Sequence, residues 1–156
     1  SLVQLGTASD AALDALVLLL KDDDSYMRYG AAASLGQLGI SSDAVIGALV
    51  SLLKEDDDSN VRCSAAASLV QLGTASDVLL NSLLTLLKDG YLSFSLSGRV
   101  SDRASQSLIT LSKKSDTVKP AIVEWIEQNQ DEDYVGKGID VLWETSGGQS
   151  ATATLA

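Results

Sequence analysis

YMRYGAAASLGQLG, residues 26–39, returns as NVRCSAAASLVQLG, residues 60–73. A recurrence this close marks repeated structural units, and the rest of the chain can be read outward from it. Leu5-Gly6, Leu38-Gly39 and Leu72-Gly73 are spaced 33 and 34 residues apart, and Lys21, Lys54 and Lys88 repeat the same two intervals. The one-residue difference lies in an acidic turn, KDDDS in the first unit and KEDDDS in the second. An extra residue in a turn costs little, whereas one inside a helix would rotate its whole apolar face away from the core.

Each unit reads as two helices. The first helices are SDAALDALVLLLK, SDAVIGALVSLLK and SDVLLNSLLTLLK, with Leu13, Leu16, Val17 and Leu20 at the spacings of three and four that define one helical face. Ser9, Ser42 and Ser76 are the predicted N-caps, where a hydroxyl accepts from unpaired first-turn amides and the following Asp favours the helix dipole. The second helices begin at Ser25 and Ser59 and end at Gly39 and Gly73, where a left-handed cap is expected. Their AAASL interiors cannot fill space, so they serve close approach by a neighbouring helix, with Leu35, Leu38, Leu69 and Leu72 as knobs. A lone hairpin cannot bury its apolar face, and stacking like hairpins makes each the wall of the next, which is why the same side chains recur.

The later units are less regular. Setting Leu108 on Leu69 gives an offset of 39, and the excess falls in KDGYLSFSLSGRVSD, residues 88–102, predicted as a loop between Asp89 and Arg99. Setting Leu142 on Leu108 restores 34 and puts Ile122, Trp125 and Ile126 in a fourth first helix, with Pro120 in its first turn where a missing amide costs little. DYVGKGIDVLWET is the fourth second helix, weakened by Gly136 and Gly138 at roughly 1 kcal/mol each relative to Ala. The predicted organisation is a half-repeat at 1–6, repeats at 7–39, 40–73, 74–113 and 114–145, and a flexible tail at 146–156.

The pattern Leu-Leu-x-Leu-Leu-Lys, acidic turn, Val or Met, Arg, then Ala-Ala-x-x-Leu-x-x-Leu-Gly resembles HEAT-type repeats, and more narrowly the phycobilisome-lyase HEAT-like variety. The stretches that carry it are LVLLLKDDDSYMRYGAAASLGQLG and LVSLLKEDDDSNVRCSAAASLVQLG; the likeness is strong over 1–88, weaker over 98–145 and absent beyond. It implies an all-α fold, a right-handed α/α superhelix of about four helix pairs plus a leading half-repeat. The family's Arg at the start of the second helix corresponds to Arg28 and Arg62, and the resemblance implies that it supports the turn and the neighbouring unit. Beside Asp22–Asp24 and Asp56–Asp58 a bidentate guanidinium–carboxylate contact is expected. Replacing Arg62 with Ala is expected to lower thermal stability without removing helicity, and an unchanged melting temperature would contradict that role. Ser101 and Val135 occupy the equivalent places in the later units, which therefore lack this support.

Composition narrows the chemistry. There are 156 residues, no His, one Cys and a net charge of −10 from 11 basic and 21 acidic residues. Without His the Ser-His and Cys-His nucleophile systems and His-based metal sites are excluded. No Gly-rich phosphate loop is present, and the Asp triplets lack the alternating ligands, central Gly and terminal Glu of a calcium loop, so they read as solvated turns feeding helix N-termini. Glu124 and Glu144 read as surface carboxylates, and Cys63, among small residues, as a buried inert thiol. An acidic surface repels nucleic acid and anionic lipid, and the longest apolar run, LVLLL at 16–20, is too short to span a bilayer. The expectation is a cytoplasmic, non-catalytic chain without cofactor or metal.

What remains is binding to a protein partner. Tyr26, Arg28 and Tyr29, together with Arg62, start the second helices that line the inner face of such arrays; they either meet a partner or pad the turn. Tyr91, Phe94 and Arg99 mark the 89–99 insertion, whose aromatics either bind or fold back over the third unit. Trp125 and Trp143 are expected in the core of the terminal cap. The opening SLVQLG copies residues 68–73, which suggests an array cut from a longer protein in mid-repeat. The resemblance implies a scaffold or sensor array of a multidomain signalling protein, such as the ATPases with a NACHT-type core. Its alternatives are a subunit or fragment of a bilin lyase or isomerase, and an array excised or designed for its fold.

Overall fold

The computed structural model describes the backbone of residues 2–92 and 97–147, and the side chains of 10–89 and 100–147. Eight helices and no strand occur among the described residues: α1 (Leu2–Leu19), α2 (Ser25–Leu38), α3 (Asp43–Glu55), α4 (Ser59–Gln71), α5 (Asp77–Leu92), α6 (Ser97–Ser112), α7 (Val118–Gln128) and α8 (Val135–Thr145). The chain divides into two compact units, residues 1–72 and 73–156. In the first, α1 packs on α2, α3 on α4, and α2 on α4; in the second, α5 packs on α6, α7 on α8, and α6 on α8. Each unit is thus a pair of helical hairpins stacked through their second helices, the HEAT-like α-solenoid arrangement.

Local signals set the boundaries. Ser42 Oγ accepts from the Val45 amide at 3.3 Å and Ser76 Oγ from that of Leu79 at 3.2 Å, as N-caps should. Asp24 and Asp58 cap α2 and α4, accepting from Tyr26 N at 2.9 Å and Asn60 N at 2.8 Å. Gly39 and Gly73 stand at φ 70° and 83°, the left-handed region where a Cβ would be strained. Ser9 is different: α1 runs unbroken from Leu2 to Leu19, so the predicted turn after Gly6 is absent and no helix starts at Ser9. Continuing the helix satisfies the amides that Ser9 would otherwise have capped. Leu35, Val45, Leu49, Val61 and Leu69 are fully buried in the first unit, but of the four predicted knobs Leu38 is 47% exposed and Leu72 only half-buried, since both stand at the C-terminal ends of their helices. Leu79, Leu83, Leu87, Leu108, Leu111 and Ile122 are fully buried in the second, each contributing roughly 1.5–3 kcal/mol of burial free energy.

The AAASL interiors do permit close approach. On α4, Ser64 Oγ donates to Tyr29 O at 3.0 Å and Ser68 Oγ to Ala32 O at 2.6 Å, so two hydroxyls one turn apart stitch it to α2. At Gly36 an added Cβ would stand 2.6 Å from Ser68 Oγ and Gln71 Oε1 and 2.8 Å from Ser68 Cα. That contact explains the one place where AAASLGQLG and AAASLVQLG diverge, Gly36 against Val70.

Two expectations are corrected in the second unit. The loop placed between Asp89 and Arg99 is mostly helix, because α5 continues to Leu92 and α6 starts at Ser97. The extra residues lengthen the hairpin, since KDGYL extends the helical phase of the apolar run before it. Trp125 is buried and meets Tyr134 with ring centroids 5.8 Å apart, but Trp143 is 42% exposed. Gly138 explains the first: its missing Cβ leaves the space filled by Trp125 Cζ3, 2.6 Å from where that Cβ would be. Trp143 lies one turn beyond Ile139 on α8, away from α7, and Ile139 is exposed too.

Candidate functional site

The acidic turns are built as clasps. Asp22 Oδ1 accepts from Asp24 N, and Asp56 Oδ1 from Asp58 N, both at 2.9 Å, so the first Asp of each triplet braces the turn and the third caps the following helix. Arg28 then joins two turns. Its Nη1 donates to the carbonyls of Asp22 at 2.9 Å and Asp23 at 3.1 Å in its own hairpin. Its Nε and Nη2 grip Asp56 of the next hairpin at 2.7 and 3.1 Å, and Nη2 also reaches Asp57 Oδ1 at 3.3 Å. The side chains of Arg28 and Asp56 are 14% and 4% exposed, so the pair is partly shielded from solvent. Burial pushes the Asp56 carboxyl up, but the Arg28 hydrogen bond, the Asp58 amide and the guanidinium charge together outweigh it and hold Asp56 below the usual carboxylate range. The hydrogen bond to Asp56 raises Arg28 in turn, against desolvation. Arg62 repeats the contact within its own turn, donating from Nη1 to Asp56 O at 2.8 Å.

These contacts decide the roles of the residues singled out in the sequence. Arg28 spends its donors inside the fold and is a structural clasp, as the repeat pattern implied, not an outward anchor. Arg62 also points back into its own turn. Tyr26 is 78% exposed at the start of α2, while Tyr29 is half-buried and its carbonyl is taken by Ser64. Tyr91 and Arg99 lie on the helical backbone of α5 and α6, but their side chains, and all of Phe94, are outside the described residues.

A groove that the sequence did not announce lies between α1 and α3. Its volume is about 580 Å³, with Val17, Leu20, Ala44, Ala48 and Leu52 as an aliphatic floor and Lys21, Ser51 and Glu55 on its polar rim. α1 and α3 hardly touch, because each packs mainly on its own partner and the small side chains Ala44, Ala48 and Ser51 leave the gap open. That stripe, at spacings of four and three along one helical face, was the only signal of it in the sequence. A second, smaller hollow of about 150 Å³ separates α6 from α8. Across it Lys137 Nζ meets Asp102 Oδ1 at 2.7 Å, with Ser105, Asp140 and Glu144 nearby. Among the described residues no group of His, Cys, Asp and Glu is arranged to hold a metal, and no helix is long and apolar enough to cross a membrane.

Stacked hairpins joined by an arginine clasp, with a groove and no assembled reactive centre among the described residues, define a helical-repeat protein. The match to the family model for HEAT repeats covers residues 13–93, more than half of the 156, and the chain belongs to the HEAT repeat family. Comparison with curated proteins gives no match. HEAT repeats generally serve as scaffolds for protein–protein contact and are typically not enzymes.

Proposed function

We propose that this chain is a non-catalytic protein-interaction module, a scaffold or sensor array of the phycobilisome-lyase HEAT-like variety that works in the cytoplasm as part of a larger multidomain signalling protein. One observation carries the reading: the groove between α1 and α3, an aliphatic trough with a polar rim, suits side chains of a partner protein. The clasp at Arg28 supports it, because Asp56 at one end of the groove is fixed by that arginine and the walls are held before a partner arrives. The near-identical repeats and the net charge of −10 favour a protein ligand over a polyanion.

Ala48→Arg fills the groove from its floor. Affinity capture with the wild-type chain and with this variant, both checked for helicity, is followed by calorimetry on the purified captured protein. Binding by the wild type that the variant loses supports the groove. Equal binding by both refutes it, and no captured protein that binds on purification refutes the module reading.

A further inference from the structure

The groove between α1 and α3 is chemically uneven along its length. Ala44, Ala48, Ser51 and Glu55 follow at spacings of four, three and four, so one edge of α3 lines it for about three turns, roughly 16 Å. The first part of that edge is aliphatic, like the floor beside it, and the last turn is charged. There Arg28 draws together the two acidic turns that follow α1 and α3, through the carbonyl of Asp22 and the carboxylate of Asp56. α1 and α3 end at Leu19 and Glu55, so the negative poles of both helix dipoles lie at that end.

Residues 21–28 and 54–62, which form that end, hold seven carboxylates and four basic side chains. Arg28 and Arg62 are turned into the fold by their bonds to turn carbonyls. Asp24 and Asp58 serve as caps, and Asp56 is held by Arg28. Glu55 and Asp57 keep acceptor capacity. Glu55 is exposed and accepts from Ser51 Oγ at 3.4 Å, while Asp57, next to the groove-lining Asp56 and reached by Arg28 at 3.3 Å, is still 95% exposed. A carboxylate has room for about four hydrogen bonds. Among the described residues Lys21 is the one basic side chain lining the groove, so this end is net acidic beside an aliphatic floor.

Backbone chemistry selects the form of the occupant. An extended peptide binds by pairing its backbone with a free sheet edge, and no strand occurs among the described residues. A helix arrives with its backbone already paired and presents side chains at i, i+3 or i+4, and i+7, which is the span of this floor. We infer, resting on the reading of the groove as a partner site, that its occupant is a basic amphipathic helix. Aliphatic side chains along one face cover Ala44 and Ala48, and Lys or Arg at one end of the helix meets Glu55 and Asp57. Lys21 opposes the same basic residues, so the sign of the partner is set by two carboxylates against one ammonium.

A display library of peptides of about 14 residues, long enough for three helical turns, is selected on the wild-type chain and counter-selected on Ala48→Arg. The peptides that remain are expected to carry apolar residues at helical spacing and a net positive charge. One of them, made synthetically, is then titrated by fluorescence anisotropy against the wild type and against variants whose helicity is checked by circular dichroism. Reversing both open carboxylates, Glu55→Lys with Asp57→Lys, is expected to weaken binding roughly tenfold, and Lys21→Glu to tighten it about threefold. Raising salt is expected to weaken the wild-type complex and to leave the doubly reversed one little changed. Groove-dependent peptides that are neutral or acidic, or an affinity indifferent to the double reversal, overturn the basic-helix inference and leave the groove as a partner site. A library in which no peptide is lost on Ala48→Arg overturns the inference and the groove reading together.

Discussion

Gly36→Ala is the sharpest test of how the first unit is held. Two effects of opposite sign meet at this position. Replacing Gly by Ala inside a helix gains about 1 kcal/mol of propensity. Against it, the new methyl would lie 2.6 Å from Ser68 Oγ and 2.8 Å from Ser68 Cα. The hydroxyl cannot simply swing aside, because it is buried and donates to Ala32 O at 2.6 Å, and the Cα is backbone of the packed helix. Overpacking costs roughly 1–3 kcal/mol, and a hydroxyl pushed off its acceptor leaves a buried polar group unpaired at a similar cost. The collision wins by about 2 kcal/mol, which for a chain of this size lowers Tm by roughly 4–8 °C.

Gly30→Ala, on the same helix but with open space around its Cβ, keeps only the propensity term and is expected to raise Tm by roughly 2–4 °C. Thermal and urea unfolding followed by circular dichroism at the helical band reads both. On a Ser68→Ala background the penalty at Gly36 is expected to shrink without vanishing, since the Cα clash persists. Shifts of the same sign for the two glycines would refute the close α2–α4 contact.

Arg28→Ala strands the Asp56 carboxylate in a shielded site and is expected to cost about 2 kcal/mol in urea unfolding, with Arg28→Lys recovering only part because it cannot bind through two nitrogens. Asp56 sits below its unfolded pKa, so its contribution is fully present above that value and fades as pH falls through the lower folded one. Urea midpoints measured below about pH 4 are therefore expected to fall less steeply in Asp56→Asn than in wild type; parallel curves would contradict the assignment. Lys137→Ala removes a partly solvated ion pair and should shift stability by less than about 1 kcal/mol, and a larger loss would mean that the α6–α8 joint depends on that contact.

Much of the fold was legible because its signals are local. Ser42, Ser76, Gly39 and Gly73 mark helix ends through their own backbone chemistry, and the leucine spacing needs no knowledge of a partner. Ser9 carries the same signal as Ser42, but an N-cap needs a helix to start there, and α1 is already helical on both sides of it. The difference between Gly36 and Val70 was visible, but not its cause, which lies in serine and glutamine side chains more than thirty residues away. Arg28 was readable as a turn support because arginine and aspartate recur at fixed offsets. The groove was not, because it is a gap left by small side chains, and gaps have no residue of their own. Trp143 was misplaced for a related reason: an aromatic residue favours apolar surroundings, but its own position does not show whether the fold covers it, and Trp143 is 42% exposed.

The arginine clasp also gives the chain a direction in time. Arg28 leaves the ribosome before the carboxylate it grips, which follows 28 positions later. At bacterial and eukaryotic synthesis rates of about 5–20 residues per second, the first hairpin waits roughly 1–6 seconds for the Asp56 carboxylate. Until then Arg28 has only the two carbonyls of its own turn to bind, beside the Asp22 and Asp24 contacts that brace that turn. A nascent first hairpin is therefore an unfinished object, completed by its successor, and a pause in translation between Arg28 and Asp56 would prolong the interval in which it is open to proteolysis or to misplaced pairing.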